Sequence, residues 1–172
     1  MTDHPLNSCK GKATEVDRML QLAERRCHQQ GARLTARRRR VLEILCQSER
    51  PLSAYQILEE LRDGAPLAPP TVYRALDFLL EQGLIHKLET LHAFVGCNHP
   101  DHPHASQFLI CADCGGVTEI EDASLSDSVQ VAASRSGFKP RRSVVEVLGL
   151  CAYCSETQRV ASTASEADGN ER

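Results

Sequence analysis

Two short cysteine pairs carry the clearest chemistry in this chain. Cys111 and Cys114 form C-A-D-C, Cys151 and Cys154 form C-A-Y-C, and 36 residues separate the pairs. Two residues between cysteines let both thiolates of a tight knuckle reach one ion, and two knuckles complete a tetrahedral all-sulfur shell suited to zinc. Gly115, directly after the first pair, accepts the positive φ that such turns often need, while Ser155 follows the second. A redox dithiol is the competing use, but two matched pairs on expected strand ends favour a closed zinc site that folds its domain. A zinc nucleobase deaminase would carry H-x-E with P-C-x-x-C. Neither pair follows a proline and no H-x-E occurs.

A second group of potential ligands lies between residues 86 and 104. His92, His99, His102 and His104 crowd one stretch, with Cys97 among them and His86 just upstream. The loop C-N-H-P-D-H-P-H also offers Asp101; His99, Asp101 and His102 read as a solvated loop, with a further weak metal site as the alternative. Nucleic-acid chemistry is signalled elsewhere. Residues 18–40 hold eight arginines and one acid, Glu24, although the whole chain is acidic at −3. Residues 1–84 carry 13 Lys+Arg against 11 Asp+Glu, and residues 85–172 carry 7 against 12. Basic charge concentrated in one segment of an acidic chain points to phosphate.

These residues need elements to hold them. Val16, Met19, Leu20, Ala23 and Cys27 recur at helical spacing, with Gly31 as a stop. Thr35 suits the N-cap of a second helix buried through Val41, Ile44 and Leu45. Ser53 and Gln56 have capping-box spacing, and Leu52 and Ile57 are placed as a hydrophobic staple, so a third helix starts there and ends near Gly64. Pro69-Pro70 opens a fourth, whose buried stripe is Val72, Ala75, Leu76, Leu79 and Leu80 and which Gly83 closes. Thr71, Tyr73, Arg74 and Asp77 fall off that stripe. L-I-H-K-L-E and H-A-F-V-G-C then read as two short strands. Helices followed by a small hairpin are the plan of a winged helix-turn-helix.

Beyond the 98–104 loop the pattern changes. Residues 107–111 and 116–121 read as strands, 124–136 as a helix, and Ser143–Leu150 as a strand leading into the second cysteine pair. The expected fold is therefore α+β, an N-terminal winged helix-turn-helix followed by a small α/β domain with a four-cysteine zinc site. Its divisions are a flexible N-terminus (1–13), a winged-helix DNA-binding domain (14–97), a hinge and metal loop (98–105), a metal-binding domain (106–154) and a disordered tail (155–172). Thr71, Tyr73 and Arg74, at the start of the last helix before the wing, are placed to read bases in a major groove. Arg37, Arg38, Arg39 and Arg40 are expected to contact phosphates. Glu59 and Arg62 read as an intrahelical pair rather than a contact between adjacent dimers.

R-L-T-A-R-R at 33–38, P-P-T-V-Y-R-A-L-D-F-L-L-E-Q-G-L-I-H-K at 69–87 and C-A-D-C-G at 111–115 resemble the ferric uptake regulator family, and within it the zinc uptake branch. The likeness is collinear over about residues 16–154. It implies a dimeric, metal-responsive repressor binding operator DNA and dimerising through the 106–154 domain, with Tyr73 and Arg74 on the recognition helix and Cys111, Cys114, Cys151 and Cys154 on a structural zinc. It also implies a regulatory zinc held by His86, Cys97, His104 and Glu119, which makes two zinc ions per subunit. Two imidazoles, a thiolate and a carboxylate suit tetrahedral zinc, whereas octahedral iron prefers nitrogen and oxygen. The compact His-x-His of iron-branch members is replaced by A-S-Q-F-L-I. Glu121 and Asp122 are the alternatives to Glu119 if the strand register slips.

Composition agrees with this picture. The chain has 172 residues, 41% apolar and 25% charged, which is ordinary for a globular protein. No run approaches the length of a membrane span, and the first residues lack a signal-peptide core. A cytoplasmic protein without membrane or small-molecule substrate is expected. Catalysis is not expected either, because no nucleophile–base pair or phosphate-binding glycine loop occurs. Eight cysteines in a reducing compartment argue for metal rather than disulfides, with Cys9, Cys27 and Cys46 left as buried or idle thiols.

Overall fold

The computed structural model describes residues 13–62, 68–100 and 105–157. Four helices come first: α1 (Ala13–Gln29), α2 (Ala36–Gln47), α3 (Ala54–Glu60) and α4 (Pro69–Glu81). Strands β1 (Ile85–Leu88) and β2 (Ala93–Gly96) pair antiparallel as the wing. Next come β3 (Ser106–Cys111), β4 (Val117–Ile120), helix α5 (Ala123–Arg135) and β5 (Val144–Gly149). The second sheet runs β4-β3-β5, with β3 antiparallel to β4 and parallel to β5. This is the expected α+β plan.

Local signals act where their chemistry predicts. The Thr35 side chain caps α2, and the Ser53–Gln56 capping box is complete in both directions. Pro69 and Pro70 are themselves the first residues of α4, where their missing N–H groups leave nothing unsatisfied. Gly83, at φ 64°, turns the chain from α4 into the wing, and a side chain there would crowd the Arg26 guanidinium at 3.2 Å. Two expectations are corrected. Helix α3 ends at Glu60 rather than near Gly64, because the N–H of Leu61 and then of Arg62 close a final turn on Ile57 and Glu59; residue 64 lies outside the described residues. Of the tail expected to be disordered over 155–172, residues 155–157 instead continue a helix over 152–157, where the Thr157 hydroxyl donates to the Tyr153 carbonyl, and residues 158–172 lie outside the described residues.

Two apolar clusters form. The larger joins all four N-terminal helices with Leu84, Ile85 and Phe94, and contains the Val72, Ala75, Leu76 and Leu79 stripe of α4. Burying each Val or Leu of that stripe contributes about 1.5–3 kcal/mol, which fixes α4 with its opposite face outward. The smaller cluster is Leu88, Phe108 and Ile110, with Val95 and Val117 packed against it. It joins the wing to the second sheet. Helix α5 has no buried residue, and Leu109 and Val147, opposite each other in register, are 42% and 50% exposed.

Candidate metal centres and nucleic-acid interface

The four cysteines converge. Their sulfur atoms all lie within 4.8 Å of one another, and Cys114 and Cys151 Sγ are 4.0 Å apart. A tetrahedral zinc with Zn–S near 2.3 Å sets its sulfurs ~3.8 Å apart, so the Cys114–Cys151 pair is already near that spacing and the whole set is close enough to close on one ion. Cys111 ends β3, and Cys151 and Cys154 follow the parallel neighbour β5, so strand pairing brings the knuckles together. Backbone N–H groups of Gly116, Cys151 and Cys154 point at the sulfurs of Cys114, Cys111 and Cys151, each at 3.4 Å. Such donors stabilise thiolate. The N–H groups at Cys114 and Cys151 pull the Cys111 thiol down to about 6. The Asp113 carboxylate, followed by burial, pushes Cys154 up, and burial raises Cys114. Four thiols so crowded cannot all ionise without a cation among them.

The second cluster draws on three separate parts of the chain. His86 lies on β1, Cys97 just past β2, and Glu119 on β4. Their donor atoms also fall within 4.8 Å of one another. Glu119 Oε1 is 2.8 Å from His86 Nε2, with the two side chains 4% and 8% exposed, and Cys97 is wholly buried. Glu119 Oε2 accepts the Asn98 N–H at 2.9 Å. Cys97 itself is held by its N–H to the Leu84 carbonyl, which extends the wing pairing by one residue. Zinc at 2.0–2.1 Å from nitrogen and oxygen would hold them roughly 3.3 Å apart, about half an ångström more than the present hydrogen bond. A small outward shift of either side chain supplies that.

The imidazole is oriented on both sides. Its Nδ1 is 3.0 Å from the Ser106 hydroxyl, and its ring meets Phe108 edge-on with centroids 5.3 Å apart. A neutral imidazole that donates from Nε2 to Glu119 must accept at Nδ1, and the serine then donates. When Nε2 serves as a metal ligand the proton sits on Nδ1, and the same hydroxyl accepts it. Ser106 therefore serves both tautomers.

The surface of α4 completes the geometry. Tyr73 is 54% exposed, Arg74 is exposed and Thr71 is half-buried. The arginine run is less uniform than its sequence. Arg38 stacks on the Phe78 ring at 3.5 Å and donates to the Arg33 carbonyl, Arg39 pairs with Glu24, and Arg40 pairs with Glu43. Arg37 is exposed, with no ion pair to any described residue.

A profile of the ferric uptake regulator family matches residues 29–148. The chain belongs to the ferric uptake regulator family. The zinc uptake regulation protein of Escherichia coli (strain K12) is 43% identical over 147 residues, covering 84% of this chain and 86% of that protein. The peroxide operon regulator of Bacillus subtilis (strain 168) is 31% identical, over 74% and 88% of the two chains. Among solved structures, a zinc uptake regulator complexed with zinc and DNA superposes with a TM-score of 0.79 at 42% identity, covering 84% of this chain and 97% of that one. Holo XcZur superposes at 0.76 with 41% identity, over 81% and 99%.

Against this family background, three members of the expected regulatory set meet and the fourth, His104, lies outside the described residues. Asp101, His102 and Cys9 also lie outside them. The register places Glu119, not its alternatives, in the cluster: Glu121 is exposed, and the Asp122 carboxylate caps α5 by accepting the Leu125 N–H. Cys27 and Cys46 are buried in the helical core, and Glu59–Arg62 form an exposed i,i+3 pair at 3.9 Å. Ser106, Asn98 and Phe108 escape any spacing rule, because each meets its partner only after folding.

Proposed function

We propose that this chain is a zinc-responsive transcriptional repressor that binds operator DNA as a zinc-loaded homodimer in the cytoplasm and controls zinc uptake genes. One observation carries the reading. Ligand-type side chains from the wing, the residue just past it and the second sheet gather at one buried point, apart from a closed four-cysteine cluster. The buried thiol of Cys97 within that set favours zinc over a harder octahedral ion. The names of the similar regulators, one of them solved with zinc and DNA, point the same way.

The residues divide the work. Cys111, Cys114, Cys151 and Cys154 hold a structural zinc. His86, Cys97 and Glu119, joined by His104, hold a regulatory one, for two per subunit. When bound, zinc supplies a charge that the buried ligands share, in place of the proton between His86 and Glu119. His86 then keeps its proton on Nδ1 toward Ser106, and the wing is fixed against β4. In a two-fold dimer that angle sets the separation of the two α4 helices, and so their fit to two half-sites. Leu109, Val147 and the unburied α5 offer the apolar face for such pairing. Arg74 and Tyr73 read bases, with Thr71 beside them, while Arg37, Arg38, Arg39 and Arg40 face phosphate.

The test is zinc content per subunit with and without mild chelation, alongside operator binding at fixed salt. Two ions, one lost together with specific binding, support the reading. A single tight ion, with DNA binding indifferent to added zinc, overturns it.

A further inference from the structure

One rung of the second sheet meets the wing at three points. Phe108 on β3 stands opposite Glu119 on β4 and opposite Glu146 on β5, so all three side chains share a face. Glu119 bonds His86, and Phe108 packs against the same imidazole and clusters with Leu88. Glu146 reaches the turn beyond β1. One of its carboxylate oxygens accepts the Glu89 N–H at 2.6 Å, and the other accepts the Thr90 N–H at 2.9 Å. Bonds from two successive amides to one carboxylate are charge-assisted and directional. Burial works against the ionised form, yet the bonds from Thr90 and Glu89 hold the Glu146 carboxyl below the usual range.

We infer that Glu146 is a positioning residue, a second tie that fixes the wing on the sheet and thereby the α4 angle that operator DNA selects. The inference rests on the regulatory reading above. Without Glu146, the His86–Glu119 bond and the Leu88–Phe108 packing would hold the body of the hairpin, and its turn could swing about them. Glu146 grips the turn at the far end of β1 and removes that swing. The hairpin carries this constraint to α4 because Leu84, Ile85 and Phe94 share its core. Glu146 belongs to neither ligand cluster and is remote in sequence from the arginine run, so its effect on DNA passes through geometry.

The test compares zinc-loaded, full-length wild type with Glu146→Gln and Glu146→Ala. Amide hydrogen exchange at Glu89 and Thr90 reads the contact, and operator and random-DNA affinities read its consequence. Glu146→Ala should speed exchange at those two amides at least tenfold and weaken operator binding about tenfold. Random-DNA binding and zinc content should not change. Glu146→Gln, which keeps one carbonyl acceptor, should fall between. Unchanged exchange in both variants, or faster exchange with unaltered operator affinity, would overturn the inference. Zinc-indifferent operator binding by the wild type would remove the functional reading beneath it, a failure visible before either variant is made.

Discussion

The two ligand clusters differ in what they join. The four cysteines come from two knuckles at the ends of neighbouring parallel strands, so an ion there closes a single domain on itself. His86 comes from β1, Cys97 from just past β2 and Glu119 from β4, so an ion there would tie the wing to the second sheet. The cysteines also meet backbone N–H groups at their sulfurs, a shell belonging to the knuckles themselves. The second set is oriented by Ser106, Asn98 and Phe108, which lie on other elements than the side chains they hold. A site built at the paired ends of neighbouring strands stabilises a fold, whereas a site assembled between the wing and the sheet reports an angle. Selecting one angle firmly, from 1:99 to 99:1, requires about 5.5 kcal/mol of differential affinity. Under the proposed coupling, operator DNA must tighten zinc at the His86–Cys97–Glu119 cluster by the same factor by which zinc tightens DNA binding.

Breaking the first cluster should have the largest effect. Structural zinc sites contribute on the order of 10 kcal/mol to folding, so Cys111→Ser or Cys154→Ser should unfold the second sheet. Circular dichroism and zinc content read this directly; a folded, zinc-free variant would erase the contrast between the clusters. Next come His86→Ala and Cys97→Ser. Each should leave the protein folded with one zinc, while zinc-dependent operator affinity falls by up to ~10⁴-fold, the factor the selection arithmetic allows. Loss of both zinc ions would show that the clusters are not independent.

Ser106→Ala sharpens the comparison further. It removes the hydroxyl that accommodates either His86 tautomer, and loss of such an outer contact costs ~10–100-fold in metal affinity. Competition with a chelator should show that loss at the weaker zinc alone. The smallest effect lies outside both clusters and serves as their control. Arg37→Ala should weaken operator and random DNA equally and lower the salt slope by about one. Arg74→Ala should instead erode discrimination at one base pair by ~1–3 kcal/mol. Equal losses on operator and random DNA would exclude Arg74 as a base reader.

The same division governs what the sequence reveals. The cysteine pairs are legible because their spacing is their geometry, and the α4 stripe because burial repeats with the helix. The Ser53–Gln56 box is likewise local, complete within four residues. His86 and Glu119 have no such period, and only their likeness to a family brings them together. Glu146 and the wing turn are 57 residues apart in sequence, and their contact exists only once β5 lies beside β3. The arginine run shows the converse. Its charge is plain in the sequence, but Phe78 on α4 and Glu24 on α1 engage Arg38 and Arg39 only after those helices pack.

Helix α5 has one more consequence. A helix of 13 residues with none buried lacks the packing that normally holds so short a segment together. If its second partner is another copy of the chain, the folding of that face becomes a bimolecular event, and its midpoint of thermal unfolding must rise with protomer concentration. Dilution alone would then loosen the sheet that carries Glu119, and with it the capacity to respond to zinc. A sensor built this way answers to its own abundance as well as to its metal.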